Sequence, residues 1–206
     1  MTPVASVRTG LMVLALAAAS ALPMACHTVH QCPILQGLTG GTIPSPLPPP
    51  GDTYEVVGRR DGIRFHVVKY NATLYRGGDI LNRAGAQALK DLGIKTIISV
   101  SPNAQERALA QEFGFVLVEI PFGWFDMTAS HLSRFLAAID ANPAPFYVHS
   151  FLGINQAGIL LAHYRIHREG WTVDTALAEY WRLDGNYWDS THMVDVLKKN
   201  APAAQP

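Results

Sequence analysis

Cysteine is nearly absent from this chain of 206 residues, and its two examples, Cys26 and Cys32, both lie near the N-terminus. From residue 33 onward there is no thiol. That long region can hold no disulfide staple and no thiolate nucleophile. Charge bias is absent as well. Sixteen basic and 16 acidic residues give a formal net charge of zero, without the basic surplus that draws a protein to a polyanion, so no nucleic-acid partner is expected. No apolar run is long enough to span a bilayer comfortably; residues 11–21 come closest and fall short. Also missing are an internal repeat, a Gly-x-Ser-x-Gly elbow and His or carboxylate residues at a metal-ligand spacing. Cys26, His27, His30 and Cys32 could be read as a metal cluster, but the flanking pattern of a zinc module is lacking, and no metal or other cofactor is expected.

What is present begins with an export-like segment. In residues 1–25, Arg8 precedes the Ala/Leu-rich run, and Ala19-Ser20-Ala21 fits a small-residue cleavage site. Residues 22–26, Leu-Pro-Met-Ala-Cys, resemble a loose lipoprotein box in which Cys26 would carry the lipid. A lipid anchor, simple secretion and an uncleaved anchor all stay open, and the expected location is exported, periplasmic or cell-envelope. Residues 26–52 form a linker, because six prolines and four glycines between 33 and 51 allow neither a packed helix nor a central strand. A single domain is expected over 53–200, with a flexible tail at 201–206.

Within the domain, strands alternate with helices. Residues 63–68 and 73–76 read as strands, and Gly77-Gly78 as a turn. Asn82 caps a helix that runs to Leu92 and stops at Gly93. Residues 94–100 suit a buried parallel strand. Ser101-Pro102 is expected to start a second helix, ending at Gly114. A strand at 115–120, an aromatic loop at 121–127 and a helix at 128–140 follow. Helices are further expected over 156–169, over 173–182 behind the cap Thr172, and over 192–199. The pattern predicts an α/β fold with a mainly parallel central sheet flanked by helices. Ligands of such sheets bind beyond the carboxyl ends of the strands.

Residues 146–158, Phe-Tyr-Val-His-Ser-Phe-Leu-Gly-Ile-Asn-Gln-Ala-Gly, hold the candidate site. A β-prone run ends at His149-Ser150, a short loop with one glycine follows, and a long helix begins. Unpaired amides and the helix dipole make such a loop an anion-binding place. It nevertheless carries no charged or strongly nucleophilic side chain. Acyl transfer through His149 and Ser150 is disfavoured, because neighbours on a strand point to opposite faces.

Over about residues 65–186 the sequence resembles the cysteine-dependent protein-tyrosine and dual-specificity phosphatases, closest to their small bacterial, often exported group. The resemblance rests on Leu74-Tyr75-Arg76-Gly77-Gly78, on 92–98 (Leu-Gly-Ile-Lys-Thr-Ile-Ile), and on Tyr164-Arg165-Ile166, Gly170-Trp171-Thr172 and 176–179 (Ala-Leu-Ala-Glu). The family signature is His-Cys, five residues, Arg, then Thr or Ser and Gly. His149, Gly153 and Gly158 keep its register, while Ser150 stands at the cysteine, Gln156 at the arginine and Ala157 at the Thr/Ser.

The resemblance implies a tyrosine-phosphatase-like fold in which Ser150 and Gln156 occupy the nucleophile and phosphate-clamp positions. Phe151, Leu152, Gly153, Ile154, Asn155, Ala157 and Gly158 would form the phosphate loop, and His149 would support it as a buried structural histidine. Asp126 stands where the family's general acid is found, although a helix-capping or solvated role is equally open; Asp184 and Asp189 are weaker candidates. Trp124 and Phe125 would line the pocket mouth or join the core. A serine hydroxyl is far less acidic than a thiol, and glutamine offers one neutral amide in place of a bidentate cation. The expected function is therefore that of a pseudophosphatase with a binding or regulatory role, its partner a phosphorylated or anionic ligand or a protein. The membrane would be met only through the signal or a lipid on Cys26. The alternative is an active phosphomonoesterase using another nucleophile or a metal-activated water.

Overall fold

A computed structural model describes residues 51–185 and 187–202, without the side chains of 187–189. The export-like segment, both cysteines and nearly all of the linker lie outside the described residues, as do Asn186, the Asp189 side chain and residues 203–206. Among the described residues no helix is long and apolar enough to cross a membrane.

The elements in chain order are β1 (Glu55–Arg59), β2 (His66–Asn71), β3 (Leu74–Gly77), α1 (Arg83–Asp91), β4 (Thr96–Ser99), α2 (Ala104–Phe113), β5 (Val116–Glu119), α3 (Ala129–Ala141), β6 (Phe146–His149), α4 (Asn155–Arg168), α5 (Val173–Arg182) and α6 (Tyr187–Lys199). One sheet has the order β1-β2-β3-β6-β4-β5. The first two pairings are antiparallel and the other three are parallel, so the sheet is mainly parallel as expected.

Strand β6 lies inside the sheet, between β3 and β4, and all four of its residues are buried. Successive side chains on a strand face opposite ways. Phe146 and Val148 join the core formed with α3, α4, α5 and α6, around Phe135, Ile159, Leu160, Leu177 and Leu197. Tyr147 joins the other core, with Leu89 of α1 and Leu109 of α2. His149 therefore turns toward the α1/α2 side, its ring 5.6 Å from that of Tyr147. The carboxyl end of β6 delivers the chain into the loop that ends at α4.

One strand and three boundaries differ most from the sequence reading. Strand β1 went unseen, because a bulge at Gly58 (φ +88°) interrupts its alternation. Strand β2 starts at His66 rather than 63, since Gly62 and Phe65 both have positive φ and turn the chain there. Helix α2 starts two residues after Pro102. Its cap is Asn103, whose side chain accepts from Glu106 N at 2.9 Å, while the Ser101 hydroxyl donates to Asp79 at 2.9 Å. The last helix begins at Tyr187, five residues before His192. In the aromatic loop, Phe122 and Met127 enter the core, Trp124 is half-buried and Phe125 is 81% exposed.

Candidate functional site

The loop after β6 is held by its neighbours' backbones. Val100 N donates to His149 O at 2.9 Å, and Asp79 N donates to Phe151 O at 3.2 Å. Gly77, expected in a turn, is instead the last residue of β3 and pairs with His149; Asp79 comes two residues later, and Val100 follows β4. The carboxyl ends of both strands flanking β6 thus fix the start of the loop. Gly153 is in the left-handed region (φ +74°), and a Cβ there would lie 1.9 Å from the Gly77 carbonyl oxygen. Only glycine fits this crossing. Helix α4 then begins with no side chain capping its first amides, which leaves them directed at the loop.

Beneath the loop is a buried polar knot. His149 is 1% exposed and bonds through Nε2 to Glu106, itself 1% exposed. Glu106 also accepts from the Ser99 hydroxyl at 2.8 Å. Asp79 Oδ1 lies 3.6 Å from His149 Nδ1, too long for a good hydrogen bond, so it acts mainly as a facing charge while accepting from Ser101. Burial alone would lower the pKa of His149. The carboxylates of Asp79 and Glu106 outweigh burial and raise it to about 9. His149 is accordingly an imidazolium clamped between two carboxylates. Sequence reasoning missed Asp79, Glu106 and Ser101. The available signal was positional: Asp79 lies just past the carboxyl end of β3, and Glu106 sits in the first turn of α2.

The residues at reacting positions face inward. Ser150 is 2% exposed, and its Oγ accepts from Gly153 N at 3.2 Å. The Gln156 amide donates to the Phe122 carbonyl at 2.6 Å and so ties α4 to the aromatic loop. Asp126 is exposed and accepts from the amide of Gly123 in its own loop. It borders an open cleft of about 430 Å³ lined also by Val100, Ser101, Pro121 and Phe122. Leu152 and Ile154 are buried against Phe65, with half-buried Phe151 beside them. Asn155 accepts from the Tyr180 hydroxyl at 2.7 Å. Ala157 is fully buried, and Gly158 packs against the Tyr180 ring. Asp184 stands apart from these residues, 3.8 Å from His66. No hydrogen bond joins His149 to Ser150 among the described residues, and none of their His, Cys, Asp and Glu side chains form a group of three fit to hold a metal. The loop can offer backbone amides to an anion, but no strong nucleophile.

A family model described as "DSP-PTPase phosphatase fused to NAD+ kinase" matches residues 54–191. No match is found among the curated proteins. Among solved structures, the chain is similar to TpbA of P. aeruginosa, with 24% identity over 65% of this chain and 83% of that one and a TM-score of 0.57. It is also similar to the core catalytic domain of the PP-IP phosphatase SIW14 of S. cerevisiae, with 17% identity over 60% of this chain and 81% of that one and a TM-score of 0.50. Both likenesses bear on the fold.

Proposed function

This chain belongs to the family described as DSP-PTPase phosphatase fused to NAD+ kinase, and we propose that its loop binds a phosphate-bearing anion without hydrolysing it, in a binding or regulatory role. The observation that carries the reading is the inward engagement of the reacting positions. Ser150 Oγ is an acceptor for Gly153, and the Gln156 amide is bonded to Phe122. The loop's own field does not rescue the serine, since a hydroxyl remains protonated where a thiol would ionise. Loss of one preorganised donor typically lowers a rate by ~10²–10³, and here the nucleophile is replaced as well. Serine is compatible with ligand binding: a cysteine-to-serine variant of TpbA has been crystallised in complex with pTyr. The reading includes export to the cell envelope, which rests on the character of residues 1–25.

The test combines turnover with binding. Purified protein is expected to leave p-nitrophenyl phosphate at the uncatalysed rate, with or without added divalent metal. It is expected to bind inorganic phosphate by calorimetry, with binding abolished in Gly153→Val, whose side chain collides with the Gly77 carbonyl. Family-like turnover lost on Ser150→Ala would overturn the reading, and so would the absence of any phosphate binding. Turnover that appears with metal and vanishes with chelator would favour the metal-water alternative.

A further inference from the structure

The loop lacks a cation at position 156, but one stands beside it on another segment. Arg64 belongs to the turn between β1 and β2. Its guanidinium lies over the Phe151 ring, 4.1 Å from the centroid, and Phe151 is the loop residue directly after Ser150. The backbone of Arg64 is locked to the same place. Arg64 N donates to Asp79 O at 2.9 Å. A Cβ on Gly78 would lie 2.2 Å from Arg64 O and 3.0 Å from Phe151 O. The next residue, Phe65, has φ +70° and packs on Leu152 and Ile154. A bulky residue in that conformation persists only where its surroundings over-determine it. The turn is thus held onto the loop despite local strain.

The head group of Arg64 is only loosely engaged. Its Nε lies 3.7 Å from Asp79 Oδ2, a separation that makes an ion pair but no hydrogen bond, and this nitrogen has no hydrogen-bond partner. The side chain is 26% exposed, so it can move without leaving the surface. Asp79 would not be stranded by that movement, since it keeps the Ser101 hydroxyl and faces protonated His149.

We propose that Arg64 is the cation of this phosphate loop, swinging from Asp79 to a phosphate group held by the loop amides. It would supply, from the turn between β1 and β2, the charge that Gln156 does not. The proposal rests on the loop being an anion site. A guanidinium offers paired N–H donors to phosphate oxygens, which a lysine ammonium reproduces only as a point charge.

The experiment is calorimetric titration of the full chain with inorganic phosphate. Wild type, Gly153→Val, Arg64→Gln and Arg64→Lys are compared, with Arg83→Gln as a surface-charge control. Arg64→Gln should weaken binding at least tenfold and flatten its salt dependence, Arg64→Lys should recover part of the loss, and Arg83→Gln should bind as wild type. Binding lost in Gly153→Val but unchanged in Arg64→Gln would overturn the role of Arg64 while leaving the loop an anion site. No binding by wild type would overturn both. Should Arg64→Gln fail to fold, the Arg64 Nε–H resonance of wild type gives the answer: a shift on phosphate addition supports the proposal, and no shift while the loop amides respond overturns it.

Discussion

The two ends of α4 treat charge in opposite ways. At its N-terminus, where an anion would sit, the side chains of the helix and loop are neutral: Ser150, Asn155 and Gln156 hydrogen-bond to the protein itself. Three turns later, Arg165 is buried at 4% side-chain exposure and fully engaged. It meets Glu179 through two hydrogen bonds of 2.9 and 3.0 Å, Glu169 at 2.5 Å and the Thr53 carbonyl at 2.6 Å. It also lies over the rings of Trp171 and Tyr70. The C-terminal charge ties the start of the domain and α5 to α4, a purely structural task. The N-terminal end carries only neutral side chains on its loop and first turn. Burial is extensive at both ends, so the contrast lies in whether a formal charge is built into the fold.

The largest expected effect tests the C-terminal end. Arg165→Met should strand the Glu179 carboxylate, which is 5% exposed. Breaking a buried pair from one side destabilises by roughly 3–5 kcal/mol, read from denaturant midpoints at constant m-value. The double variant Arg165→Met, Glu179→Leu should recover most of the loss, because removing both charges leaves nothing stranded. A single variant as stable as wild type would mean that the cluster is decorative, and the contrast between the two ends would collapse.

This cluster also marks how far the sequence could be read. Tyr164-Arg165-Ile166 and 176–179 were recognised as family segments, yet nothing in their spacing announced that Arg165 and Glu179 pair, since they lie on different helices. The same holds beneath the loop. His149 was legible because it adjoins Ser150 in the chain. Asp79 and Glu106 were not, because β3 and α2 bring them in from 70 and 43 residues away. Element types and their order followed from periodicity and caps, as at Asn82 and Thr172, whose side chains do accept the expected amides. Boundaries failed where a side chain found a tertiary partner, as Ser101 did with Asp79 in place of a capping role. The inward bonds of Ser150 and Gln156 were likewise invisible, because each depends on where a neighbouring loop runs.

A smaller effect sharpens the contrast from beneath the N-terminal end, where His149 stands between two carboxylates. His149 has a folded pKa of about 9 against an ordinary value of 6.5. A raised value in a histidine means that its stabilisation is complete below pH 6.5 and is lost as pH rises through 9. Stability should therefore fall across that window, by a few kcal/mol on the linkage scale of about 1.4 kcal/mol per unit. Glu106→Gln, which removes one clamping carboxylate, should shorten the window. His66 and His163 work with the opposite sign: burial lowers both to about 3, so their contribution is lost as pH falls below 6.5. A wild-type stability curve flat from pH 6.5 to 9 would refute the clamped imidazolium.

The smallest effect concerns the neutral end itself. Gln156→Ala frees the Phe122 carbonyl from a 2.6 Å hydrogen bond and should destabilise by about 1 kcal/mol, the usual net value of such a bond. The local consequence should exceed the global one. The loop from Pro121 to Met127 carries an 81% exposed Phe125 and has its Asp126 carboxylate turned onto Gly123, so little else joins its tip to the phosphate loop. Amides at 123–126 should exchange with solvent several-fold faster in the variant, while those of β6 stay protected. Equal exchange in both proteins would mean that Gln156 is a passive replacement for the missing arginine. Faster exchange would mean that the neutral residue has acquired a task of its own, latching two loops that an arginine would have left free to grip a ligand.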